Sequence, residues 1–310
     1  SELLGRELPR IACRKLLTLL LGLLSVSTAF AQTPIPGSYA PFTVTQMKAG
    51  IMPPPGTVLL ENGSIFYDTN KFVDSYFNEI STSTNETFVN RTTIGYVVPN
   101  FKILGGDFNP AVFVMFMDQS LRPEPGSKRS LQFADLVVQP FALGWHAEKW
   151  HALFNYNLWL PTGRFSEGAS NNTGKGLYSH MLTGAVTWQE TASLPWTATA
   201  QLRYEIFGEQ RQSNIRPGQV ITIEFAAGKE VVKGFDLAIT AVGSFQTTKE
   251  SNSPPGTDNS RYRFFGVGPE FHWRPGFLPG TQVSVSTFHE FGARNTGQGT
   301  GGLLSFSYAF

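Results

Sequence analysis

The feature that most constrains this chain is alternation. In Leu303-Leu304-Ser305-Phe306-Ser307-Tyr308-Ala309-Phe310 the large apolar side chains Leu304, Phe306, Tyr308 and Phe310 fall at every second position, and the residues between them are small or polar. A strand turns successive side chains to opposite faces, so this segment is a ribbon with one greasy face. The rhythm recurs upstream. Trp196, Ala198, Ala200, Leu202, Tyr204 and Ile206 share one face, and Thr197, Thr199, Gln201, Arg203 and Glu205 share the other. Such ribbons need an apolar cover, which is either a second protein layer or hydrocarbon.

Composition and the N-terminus decide between the two. Charged residues are 15% and aromatics 13%, against about 25% charged in an average soluble domain. Arg14-Lys15 precede the apolar run Leu16 to Val26, and Ser27-Thr28-Ala29-Phe30-Ala31 follows it. A basic start, a short apolar run and an Ala-x-Ala end make a secretory signal peptide, expected over 1–31. Its run is too short to span a bilayer, and no later segment is long enough to cross as a helix. Cys13, the one cysteine, goes with the peptide, so disulfide and thiol chemistry are not expected in the mature chain. Removing 1–31 takes four basic and two acidic groups and leaves a nearly neutral chain. No basic stripe points to nucleic acid, which is not an expected partner. An apolar exported chain without long helices is reconciled by a closed barrel whose outer face is covered by lipid. The fold class expected is all-β, a transmembrane antiparallel up-and-down barrel in the bacterial outer membrane. The Pro/Gly-rich segment 32–56 precedes the barrel, which spans 57–310.

Twelve strands are expected, at 57–68, 86–98, 101–118, 131–145, 149–160, 177–190, 196–208, 218–227, 234–247, 261–273, 281–292 and 302–310. The connections between them alternate long and short, as extracellular loops and periplasmic turns do. Trp145, Trp150, Trp188, Trp196 and Trp273 lie at strand ends beside the short turns, and Trp159 lies near the other end. Indoles favour the headgroup zone, so this clustering reads as an aromatic girdle.

Energy sorts the faces. An Arg on the lipid face near the midplane costs about 2–4 kcal/mol, so the Arg203 face is the lumen. Parity then assigns Arg91, Asp135, Gln139, His151, Asn155, Asn157, Arg203, Glu205, Glu224, Asp236, Gln246, Glu270 and His272 to the lining. Opposite charges among them are expected to pair across neighbouring strands. A twelve-stranded barrel encloses a narrow passage. The Pro53-Pro54-Pro55 segment, unable to be helix or central strand, is read either as a plug entering that passage or as a leader lying across its mouth. Gly105-Gly106 and Asn109-Pro110 interrupt the third strand, which marks a bulge or a gap toward lipid.

At this point the residues amount to a resemblance. Met52-Pro53-Pro54-Pro55-Gly56, Lys102-Ile103-Leu104-Gly105-Gly106, Gln139-Pro140-Phe141-Ala142-Leu143-Gly144-Trp145-His146, Leu160-Pro161-Thr162-Gly163-Arg164-Phe165, Asn172-Thr173-Gly174-Lys175-Gly176, Gly266-Val267-Gly268-Pro269 and Glu290-Phe291-Gly292-Ala293-Arg294-Asn295 occur in that order. The chain resembles the outer-membrane proteins of the meta-pathway phenol-degradation family. The resemblance implies a transporter-like barrel for small apolar or aromatic solutes. Its expected partners are the solute, outer-membrane lipid and, through the closing strand with Phe306, Tyr308 and Phe310, the barrel-assembly machinery. It supplies no catalytic residues.

Two other classes share this architecture. One is a structural or ligand-binding barrel without transport. The other is a lipid hydrolase, which places a His and a nucleophilic Ser two apart on one lipid-facing strand. His180 is outward, but position 182 is Leu, so the nucleophile is missing. The five histidines show no metal-ligand spacing. Asn172-Thr173-Gly174-Lys175-Gly176 is no phosphate loop, and Gly297-Gln298-Gly299-Thr300-Gly301-Gly302 reads as a flexible loop. No metal, cofactor or enzymatic activity is expected.

Overall fold

The computed structural model describes residues 45–81, 84–122, 131–169 and 171–310. The expected signal peptide and residues 32–44 lie outside them. The strands are β1 (Val58–Val73), β2 (Glu79–Ser81), β3 (Thr84–Tyr96), β4 (Val98–Ile103), β5 (Gly106–Phe108), β6 (Ala111–Arg122), β7 (Gln132–Phe133), β8 (Leu136–His146), β9 (Trp150–Leu160), β10 (Ser179–Gln189), β11 (Trp196–Phe207), β12 (Val220–Val232), β13 (Phe235–Gln246), β14 (Arg263–Trp273), β15 (Thr281–Arg294) and β16 (Thr296–Ala309). No helix occurs among the described residues.

Twelve of these strands build a closed antiparallel barrel. β8 to β16 pair in sequence order, β16 pairs β1, β1 pairs β3, β3 pairs β6, and β6 returns to β8. Closure runs from Leu59 opposite Ala309 to Val73 opposite Thr296. Val58 N donates to Phe310 O (2.8 Å), so the two ends of the barrel sequence meet at one rim. A closed ring leaves no ladder edge unpaired, which a bilayer demands.

The two faces separate as parity predicts. Along β11 the inward Thr197, Thr199, Gln201, Arg203 and Glu205 are buried, and Trp196, Leu202 and Ile206 are exposed on the outside. β13 repeats this, with Asp236, Thr240, Ser244 and Gln246 inside and Leu237 and Ile239 outside. Trp150, Trp196 and Trp273 are exposed outward at the end that carries both barrel termini. Trp159 lies near the other end of its strand, on the face of Asn155 and Asn157. It turns inward and packs with Val137 and Met181.

Two stretches depart in kind from the sequence reading, and a third is as it predicts. Residues 98–108 are a hairpin, β4–β5, not the start of a wall strand. Its tip, Leu104-Gly105, has φ of 51° and 77°, the two-residue turn that matches strand twist. Between β5 and β6 lies Asn109-Pro110, the interruption that the sequence predicts, opposite one extra residue in β8. It faces a register shift between Val138 and Phe141 in β8, which spans Pro140, and Asn109 exchanges both backbone hydrogen bonds with Ala142 (2.9 and 2.7 Å). The Gly-rich stretch 297–302 is β-strand, paired with β1 throughout and with β15 from Thr300 onward. Its glycines clear space for large neighbours: a Cβ on Gly301 would lie 2.5 Å from Phe288 and 2.6 Å from Phe66 O. Such a strand carries no side-chain alternation, so the periodicity that reveals strands is absent from it.

Candidate functional site

The end of the N-terminal segment lies inside the barrel. A segment without a ladder partner must find acceptors for its N–H groups, and the lumen face of the wall supplies them. Gln46 N and Met47 N both donate to the Glu270 carboxylate (2.9 and 3.0 Å). Gln46 Nε2 donates to Glu224 Oε1 (2.9 Å). Lys48 N donates to Thr199 Oγ1 (3.1 Å) and Gly50 N to Thr187 Oγ1 (3.0 Å). Lys48 Nζ pairs with Asp236 Oδ2 at 2.9 Å. Gly50 is held so close that a Cβ would lie 2.8 Å from Thr187 N. Met52 then packs on Val97 and Ala142. The residues across the lumen are therefore Gln46–Gly50. Pro54 and Pro55, read from sequence as plug candidates with Pro53, are exposed.

The charged lining pairs across strands. Arg203 Nε meets Glu224 Oε2 at 2.7 Å, and Arg91 pairs with Glu61. Within β14, His272 Nε2 is 2.7 Å from Glu270 Oε1. Asp236 also receives Arg274. Ser179 Oγ donates to Glu205 Oε1 (2.6 Å). Gln246 Oε1 accepts from Tyr262 N (3.2 Å). Two candidates serve the wall: Gln139 Nε2 donates to Asn109 at the bulge (3.2 Å to Oδ1), and His151 Nδ1 lies 2.9 Å from His146 Nδ1 near the rim.

Asp135 does more than line the interior. It sits between β7 and β8, where Oδ1 accepts Gly163 N and Oδ2 accepts Lys175 N, both at 2.9 Å. One carboxylate thus clamps both ends of the loop 161–176. Gly163 and Gly174 pack backbone to backbone there, with 2.8 Å between a Cβ on one and the Cα of the other. The clamp draws Lys175 inward. Burial pushes its ammonium down to about 8, against the pull of Glu205 and Asp135.

Between this loop and Gln46–Gly50 lies a cavity of about 550 Å³. Thr45 and Ala49 line it from the N-terminal segment, and Phe165 and Asn172–Lys175 from the loop. Its walls are two-sided. Phe113 and Met115 of β6, Val137 of β8, Trp159 of β9 and Met181 of β10 make an apolar wall. Asn155, Asn157, Gln201, Arg203 and Arg91 make a polar one. Asn157 Oδ1 and Gln201 Oε1 are buried acceptors with no hydrogen-bond partner among the described residues. The Asn157 amide is oriented by its donation to Asn155 Oδ1 (2.9 Å).

The apolar wall is absent from the sequence reading, although a signal for it exists. Val112-Phe113-Val114-Met115-Phe116-Met117 is apolar at every position, so both faces of that strand are apolar and one must face inward. His180 points outward, with Nδ1 2.7 Å from Tyr156 Oη, and Leu182 lies on the same face two residues on.

A family model described as "Putative MetA-pathway of phenol degradation" matches residues 69–306. Among solved structures, an outer membrane channel of the COG4313 group from Pseudomonas putida F1 superimposes with a TM-score of 0.74 at 12% identity, covering 86% of this chain and 100% of that one. Its fold is the same. The β domain of the Bordetella autotransporter BrkA gives a TM-score of 0.47 at 9% identity, covering 82% of this chain and 100% of that one. The transport unit of the Escherichia coli autotransporter AIDA-I gives 0.47 at 12%, covering 84% and 93%. No curated protein matches the sequence.

Proposed function

The chain belongs to the family described as "Putative MetA-pathway of phenol degradation", and on that premise we propose an outer-membrane channel for passive uptake of small hydrophobic or aromatic compounds. The cavity carries this reading. Its volume of about 550 Å³ falls in the range of small-molecule sites, which pair apolar walls with a few placed polar groups. An aromatic or alkyl body fits against Phe113, Met115, Trp159 and Met181. Two of these are methionines, which adapt to solutes of different outline. Asn157 Oδ1 and Gln201 Oε1 offer acceptors to a hydroxyl on the same molecule.

Transit is a sequence of local rearrangements. The solute enters beneath the loop that Asp135 clamps. It exchanges water for the apolar wall, which favours binding by about 25 cal/mol per Å² of apolar area buried. It leaves when Gln46–Gly50 detach from Glu270, Glu224 and Asp236. No energy-coupling motif is evident in the sequence, so net flux follows the gradient. The fold of the Pseudomonas putida outer membrane channel supports the location and the channel reading.

The test is uptake of radiolabelled toluene and phenol by cells with and without the chain. We expect uptake to rise with the chain and to fall again in Met181→Trp, which fills the cavity. Asn157→Leu with Gln201→Leu should reduce phenol uptake more than toluene uptake. Equal uptake with and without the chain would refute transport and leave a structural barrel.

A further inference from the structure

We propose that the outer ends of β14 and β15 form a binding site for the phosphate of an outer-leaflet glycolipid. The site lies on the lipid-facing surface, away from the cavity. It rests on the outer-membrane placement above but not on transport.

Arg263 and Arg294 stand directly opposite each other in the β14–β15 register. Like charges directly opposite each other destabilise a strand pair. Both guanidinium groups nevertheless gather over one ring, that of Phe77, at 5.5 and 5.9 Å from its centroid. No carboxylate among the described residues forms an ion pair with Arg263. Arg294 Nε donates to Ser75 O (2.8 Å), and Arg294 has Asp258 as its acidic neighbour.

The ring that collects them is built in. Phe77 has a φ of 70°, a conformation that costs a non-glycine residue roughly 1–2 kcal/mol. Asp74 holds that turn. Its Oδ1 accepts Tyr76 N and Asn78 N (both 2.8 Å), and its carbonyl accepts Phe77 N (3.2 Å). Asn295 N, from the β15–β16 turn, also donates to Asp74 O (3.0 Å). The β1–β2 loop and the tip of β15 are thereby joined beside the two arginines.

Height matters as much as charge. Directly below, Phe245, Phe265 and Phe291 form a continuous aromatic row, with centroids 5.6 and 6.0 Å apart. An outward aromatic row marks the boundary of the apolar band. The two guanidinium groups lie one step above it, where headgroup phosphates sit. A guanidinium stacked on a ring keeps its in-plane N–H edge for oxygen, and a phosphate accepts two such donors in a bidentate fork. A dianion between the arginines turns their repulsion into attraction, while acyl chains lie along the phenylalanines.

The purified full chain in detergent micelles is titrated with bisphosphorylated lipid A, with the same lipid after enzymatic dephosphorylation, and with inorganic phosphate, and bound lipid is counted by native mass spectrometry. We expect a one-to-one adduct with the phosphorylated lipid that excess inorganic phosphate does not displace. Losing a charge-assisted hydrogen bond should weaken it at least about tenfold, both for the dephosphorylated lipid and for Arg263→Gln. Arg263→Lys, which keeps charge but not the planar fork, should fall between. Heat-shifted gel mobility shows that each variant retains its barrel. Equal binding of the two lipids, wild-type affinity in Arg263→Gln, or displacement by inorganic phosphate would each overturn the proposal. Toluene uptake by Arg263→Gln is expected to match the wild type, so this site and the channel reading fail separately.

Discussion

Lys175 is an ammonium brought under a loop because its backbone N–H serves Asp135. Its folded pKa, pushed down to about 8 by burial, lies below the ordinary lysine value of about 10.4. Between those values the unfolded chain binds more protons, so stability rises with pH. Below about 8 the full cost of the buried charge is present. Lys175→Met should therefore be more resistant to urea than wild type near neutral pH, and the advantage should shrink as pH rises from about 8 to about 10.5. An advantage independent of pH would show that Lys175 titrates alike in the folded and unfolded chain. Arg203 behaves oppositely, because its charge is paired. Arg203→Met leaves the Glu224 carboxylate, 1% exposed in its side chain, without its guanidinium, and should cost about 3–5 kcal/mol. Adding Glu224→Gln should recover part of that loss, as urea midpoints of the two variants would show. The inward position of Arg203 was legible in the sequence, because a guanidinium facing lipid is costly and parity carries the assignment along the strand. The unmet acceptors of Asn157 and Gln201 were not, since hydrogen-bond accounting needs neighbours from strands distant in sequence.

At the scale of elements, two non-wall segments depend on single carboxylates. Glu270 accepts both N–H groups that anchor Gln46 and Met47. Glu270→Gln keeps the shape but removes the charge and one acceptor. Hydrogen bonds to a charged group contribute about 1.5–3 kcal/mol, so the open fraction in single-channel recordings should rise roughly tenfold or more if these residues close the passage. Unchanged recordings would mean that the segment is not the constriction. Asp135→Ala releases Gly163 and Lys175 together and should expose the loop 161–176 to rapid amide exchange, with β10 and β11 still protected. Sequence revealed these elements unevenly. Alternating strands such as β11 and β13 announced themselves. β6 is legible as a strand, but its uninterrupted apolar run, Val112 to Met117, carries no alternation to mark which face is the inward wall. Pro53-Pro54-Pro55 marks the N-terminal segment in the sequence, because prolines exclude helix and central strand. The residues that hold the segment, Gln46–Gly50, carry no such mark, because their role is set by carboxylates at least 178 positions away.

The molecule as a whole closes through a strand whose first half sequence periodicity hides. β16 joins β1 on one side and β15 on the other, and its first half is glycine at 297, 299, 301 and 302. Glycine is a weak strand former, losing the most backbone entropy on ordering, so its use here needs a return. The return is volume. Tyr67 and Phe288 stack at 6.0 Å between centroids beside this lane, and Phe288 lies where a side chain at 301 would be. The closing strand thus receives large residues from both neighbours instead of contributing its own. A barrel is stable only when the last pairing forms, because any unpaired edge in hydrocarbon costs several kcal/mol per group. Gly301→Val would set a branched side chain against Phe288 and the Phe66 carbonyl at once, with backbone on one side and a packed ring on the other. We expect it to prevent β16 from pairing β1 along its outer half, giving a chain that inserts poorly and runs unfolded on gels without heating. Phe288→Ala in the same chain opens the volume that the introduced valine requires and should restore part of the heat-shifted band, at the cost of a cavity against Val242. Folding of Gly301→Val as well as wild type, with no change on adding Phe288→Ala, would show that barrel closure does not depend on this glycine lane.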